Sequence, residues 1–95
     1  MSINKLKSYR KQMDKLDLLL CEILLLRRDL AIEILEYKKS CGYTLRDIRR
    51  ERKVIKKLTT NLPLPKRKFI ASIYMQLFKL ILKKSHIDTP AAKLR

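Results

Sequence analysis

Apolar residues recur at intervals of three and four from the start of the chain. Ile3, Leu6, Met13, Leu20, Leu24, Ala31 and Ile34 fall on one seam of period 3.5, and its other members are charged: Arg10, Asp17, Arg27 and Lys38. Such a seam belongs to a helix that packs along its length against another. A second stripe, Tyr9, Leu16, Leu19, Ile23, Leu26 and Leu30, runs beside the first. Two apolar stripes place a helix inside a bundle rather than on its surface. The pattern predicts a first helix over about residues 4–40, closed by Gly42 as the residue after its C-cap.

The rest of the chain continues in helices. Thr44 and Asp47 have the spacing of an acidic capping box. They predict a second helix over about residues 46–60, with Val54, Ile55 and Leu58 as its stripe. Asn61-Leu62-Pro63-Leu64-Pro65 breaks it. A third helix is expected over about residues 65–89, opened by Pro65 and carrying Phe69, Ile70, Ile73, Tyr74, Leu77, Phe78, Ile81 and Leu82. Pro90 should stop it near Thr89 and leave residues 90–95 as a frayed tail. No strand signal or internal repeat interrupts this pattern. The expectation is one all-α domain, residues 1–95, with one long helix and two shorter ones.

Length then changes the picture. The first helix would be about 50 Å long at 1.5 Å per residue, whereas a compact domain of this size has a radius of gyration of about 13 Å. The remaining ~55 residues cannot cover it, so an entwined homodimer forming a six-helix bundle is expected.

Charge narrows the partners. Lys and Arg number 24 against 9 Asp and Glu, a formal net charge of +15. That field favours anions: nucleic acid, an acidic membrane surface, or a small anionic substrate. Interleaved aromatics and a recognition-helix pattern are both missing, which argues against nucleic acid. The apolar run from Leu18 to Leu26 is too short to span a membrane and contains Glu22. No secretory signal is visible in the first dozen residues, so a cytoplasmic protein is expected. Cys21 and Cys41 lack metal-ligand spacing, and Cys21 is expected as a small core residue. No metal or cofactor is called for.

The charged members of the seam carry the functional argument. A long cation inside an apolar seam costs several kcal/mol unless it finds a partner. Arg10, Arg27 and Lys38 therefore imply a buried anion.

The spacing of these and other residues resembles the all-helical class of chorismate mutase. The matching pieces are Tyr9-Arg10-x-x-Met13-Asp14-x-Leu16-Asp17, Leu26-Arg27-Arg28-x-Leu30-Ala31-x-Glu33-Ile34 and Tyr37-Lys38. They continue in Arg46-Asp47-x-x-Arg50-Glu51-Arg52-x-Val54 and Leu77-Phe78-x-x-Ile81-x-x-x-Ser85. The resemblance implies an entwined homodimer with two identical sites, each lined by Arg27, Lys38, Asp47, Arg50, Glu51 and Ser85 of one subunit. Arg10 would reach in from the other. It also implies the rearrangement of chorismate to prephenate without cofactor or covalent intermediate, in aromatic amino acid biosynthesis by the shikimate pathway.

The residue types suit that chemistry. Chorismate is a dicarboxylate with a hydroxyl and an enol ether. Guanidinium forks bind carboxylates bidentately, so Arg10 and Arg27 would hold the two carboxylates in the reactive conformer. Arg50 would contact one of them directly or through water, and Ser85 would donate to one. Such positioning can supply up to about 7–11 kcal/mol in the best cases. Lys38 would stabilise the negative charge growing on the ether oxygen, and Glu51 would accept from the substrate hydroxyl beside the backbone at Asp47.

One position departs from the family pattern. A second donor to the ether oxygen, glutamine or glutamic acid, is usual one turn after the serine, and here that position is Thr89, which is shorter. Thr89 motivates two alternatives on related substrates, an isochorismate pyruvate lyase and a 4-amino-4-deoxychorismate mutase. The net charge motivates a third, a catalytically weak protein of this fold that binds an anionic partner such as nucleic acid.

Overall fold

Three helices in sequence form the chain in a computed structural model: α1 (Ser2–Cys41), α2 (Ile48–Thr59) and α3 (Leu64–Lys93). The structure describes residues 2–93, and the side chains of residues 3–82. All regular structure among the described residues is helical, as the periodicity predicts. The chain divides into two units, Met1–Ala31 and Ile32–Arg95.

The first unit is the N-terminal part of α1. Most of both apolar stripes is open to solvent in the single chain, with Met13 57 % and Leu26 70 % exposed, while Leu24 and Ala31 are half-buried. Cys21, expected in a core, is exposed as well. It lies on a helix that this unit does not cover, so it has no core to enter. Exposed apolar area of this extent is rare on a monomeric protein.

The second unit begins with the end of α1 and adds α2 and α3, which pack on each other. Leu35 and Thr59 are its buried residues among those described. Thr59 is polar, but its hydroxyl donates to the Ile55 carbonyl one turn earlier at 2.7 Å, which satisfies it. On α3, Ile70, Ala71, Tyr74, Leu77, Phe78, Ile81 and Leu82 are half-buried, at intervals that trace one helical face. Phe69 and Ile73, expected on that stripe, are exposed. Tyr74 and Phe78 meet edge-to-face, with centroids 6.0 Å apart.

The helix ends follow local chemistry. Gly42 has φ +75°, the left-handed conformation that costs glycine nothing. Tyr43 N–H donates to the Lys38 carbonyl at 2.8 Å and Gly42 N–H to that of Lys39 at 3.2 Å, completing a Schellman motif. Between α2 and α3, Leu62 N–H donates to Thr59. Arg67 N–H then donates to the Pro63 carbonyl, which opens α3 one residue earlier than Pro65 alone indicates. At its other end α3 continues beyond Pro90 to Lys93. Proline forfeits one hydrogen bond inside a helix, at about 3 kcal/mol, but its fixed φ is itself helical.

Candidate active site

The turn between α1 and α2 assembles most of the expected residues of the second unit. Lys38, four residues before Gly42, is half-buried. Its ammonium donates to the Leu45 carbonyl at 3.2 Å, tying the last turn of α1 to the segment that leads into α2. An ammonium has three donors, and this bond uses one.

Asp47 is the N-cap of α2. Its backbone is extended, its carboxylate accepts from Arg50 N–H at 3.0 Å, and its carbonyl accepts from Glu51 N–H at 3.0 Å. The capping box expected from Thr44 is not formed in that register. Aspartate outranks threonine as a cap, and its charge sits favourably at the positive end of the helix dipole. The cap holds Arg50 and Glu51 on the first turn of α2.

A shallow cleft of about 490 Å³ opens beside this turn, lined by Lys38, Tyr43, Thr44, Arg46, Asp47, Ile48 and Arg49. Three cations face it against one carboxylate, and that carboxylate is already engaged in the cap. The local field therefore favours an anion. Of the expected site residues, Lys38 and Asp47 line this cleft.

Arg50 and Glu51 lie just beyond it. The Arg50 side chain is exposed. The Glu51 side chain is only 17 % exposed, and its carboxylate is gripped by the Arg46 guanidinium. Arg46 Nε donates to Oε2 and Nη2 to Oε1, each at 3.3 Å. The sequence assigns Arg46 no role, because a pair five residues apart across a helix cap has no periodic signature.

Arg10 and Arg27 belong to the first unit. Arg10 is exposed on α1 and Arg27 is half-buried. The side chains of Ser85 and Thr89 lie outside the described residues.

With this arrangement in view, comparison with known families is decisive. The sequence matches the family chorismate mutase type II over residues 9–86. The chain belongs to that family. The match runs from Tyr9, at the head of the second apolar stripe, to the residue after Ser85, so it takes in every expected site residue except Thr89. Comparison with curated proteins and with solved structures yields no match. Membership makes chorismate the expected substrate class. The cationic turn at the end of α1 has the charge that such a dianion requires.

No helix among the described residues is long and apolar enough to cross a membrane. Among the described residues, no group of three or more His, Cys, Asp and Glu side chains is placed to hold a metal ion.

Proposed function

We propose that the protein is a chorismate mutase that converts chorismate to prephenate as an entwined homodimer. The family match over residues 9–86 carries this reading. The cationic cleft around Lys38 supports it from the structure.

In this mechanism catalysis is by positioning and electrostatics. Arg27 of one subunit and Arg10 of the other hold the two carboxylates, and Arg50 and Ser85 assist. Lys38 keeps two donors after its bond to Leu45, and one of them meets the ether oxygen as its bond to carbon breaks. Fixing that ammonium against the backbone before substrate arrives lowers the cost of reorganisation. Glu51 accepts from the ring hydroxyl, and Asp47 sets the backbone beside it. Thr89 stands in sequence where the second donor is expected and is a shorter residue than the usual glutamine or glutamic acid.

The dimer answers the exposure of α1. Leu16, Leu19, Ile23 and Leu26 are each more than half exposed in the single chain, and a partner's helices would bury them. Cys21 and Cys41 are free thiols, compatible with a cytoplasmic protein.

The deciding experiment is incubation of the purified protein with chorismate, following its loss and identifying the product. Prephenate formed well above the uncatalysed rate is the expected result. Pyruvate released from isochorismate, or turnover confined to the 4-amino analogue, would reassign the substrate. A folded dimer that leaves all three compounds unchanged would refute an enzyme of this class.

A further inference from the structure

Arg46 lies outside the set of residues assigned to the substrate, yet it makes the most specific side-chain contact near the site. Its guanidinium meets the Glu51 carboxylate as a fork, Nε to Oε2 and Nη2 to Oε1, both at 3.3 Å. The two residues stand on opposite sides of the Asp47 cap. Arg46 precedes α2, and Glu51 lies on its first turn. The pair is therefore not a rung of a continuous helix. It ties the entering segment to the helix, and it depends on the turn that Asp47 and Gly42 set.

The physical effect is on orientation. A glutamate on a helix turn rotates about three side-chain bonds, so its carboxylate plane is free unless something fixes it. A bidentate fork fixes that plane as well as the position of both oxygens. A carboxylate offers about four lone-pair sites, and the fork occupies two. That leaves two for a hydroxyl donor, on a side chain that is 17 % exposed. Arg46 is itself 52 % exposed, so the pair adds little to stability. What it contributes is the direction of an acceptor.

We propose that Arg46 is the positioning residue that aims the Glu51 carboxylate at the substrate's ring hydroxyl. This role rests on the mutase reading and deepens it: the hydroxyl is recognised by a preset Arg46–Glu51 pair rather than by Glu51 alone. Lysine cannot replace Arg46 fully, because a single ammonium attracts the carboxylate without fixing its plane.

The test is a double-mutant cycle on the full-length protein, measuring kcat/KM for chorismate in the wild type, Arg46→Ala, Glu51→Gln and the double variant, with Tm for each. Arg46→Ala is expected to lower kcat/KM by about 10-fold to 100-fold, since misplacing a group by about 1 Å can cost about 100-fold. Tm should stay near that of the wild type. In the Glu51→Gln background the same substitution should cost less than about 3-fold, because the group it aims has gone. Arg46→Lys should recover only part of the loss. If Arg46→Ala fails to fold, Arg46→Lys carries the cycle in its place. Equal losses in both backgrounds, or an Arg46→Ala enzyme within about 2-fold of wild type, would overturn the positioning role while leaving the mutase reading intact. A wild type that leaves chorismate unchanged would overturn both.

Discussion

At the residue scale, Lys38 carries the clearest prediction. It makes one backbone bond, to Leu45, and that bond spans the turn between α1 and α2. A hydrogen bond that involves a charged group contributes about 1.5–3 kcal/mol to stability. Losing a donor to a developing oxyanion typically costs about 3–4 kcal/mol of transition-state stabilisation. Lys38→Ala should therefore reduce kcat by about two to three orders of magnitude and lower stability by less than the free energy lost in catalysis. Stopped assays of chorismate consumption alongside urea unfolding separate the two effects. Thr89 predicts the opposite sign. If Thr89 stands where the second donor is expected, Thr89→Gln should raise kcat without weakening substrate binding, as judged by steady-state kinetics. A fall in kcat would mean that Thr89 serves this site through its own geometry.

At the element scale, the turn from Gly42 to Asp47 decides whether Lys38, Arg46 and Glu51 share one neighbourhood. Asp47→Ala removes the cap of α2 and should cost about 1 kcal/mol, read as a lower urea midpoint at unchanged slope. Gly42→Ala meets no steric neighbour, yet it forces an L side chain into φ +75° at about 1–2 kcal/mol. Both should lower turnover as well, since they loosen the frame that presents Glu51. This turn also marks how far the sequence could be read. Gly42 was legible because a glycine after a run of helical residues has one dominant use. The cap register was less so: Thr44 and Asp47 are both good caps three residues apart, and only the backbone shows that Asp47 is used. The three helices were legible from periodicity, although Phe69 and Ile73 lie off the face that becomes half-buried. The Arg46–Glu51 fork was not legible, because its partners are joined by a change of backbone direction and not by a repeat. The family spacing brought out Lys38, Asp47, Arg50 and Glu51 while saying nothing of what holds them.

At the scale of the whole molecule, the apolar stripes of α1 and the charge of the chain lead to separate predictions. Leu26 is 70 % exposed in the single chain. If a partner covers it, burial of that side chain contributes about 1.5–3 kcal/mol per subunit, and a charge there would have no partner. Leu26→Glu should then abolish the dimer and with it most of the fold. In a monomer with α1 in water the same substitution would be nearly neutral. Sedimentation should give twice the 11.3 kDa chain mass for the wild type and loss of that species for the variant. The net charge of +15 acts at longer range. A field of this sign speeds the approach of a dianion, and salt shortens its reach to about 8 Å at 0.15 M ionic strength. Raising salt from about 20 to 500 mM should therefore lower kcat/KM several-fold while kcat changes little, since salt weakens the long-range attraction of the free dianion more than the short-range contacts made to it once bound. A kcat/KM indifferent to salt would show that the surplus lysines take no part in capturing substrate, and that binding rests on the arginines and lysine of the site alone.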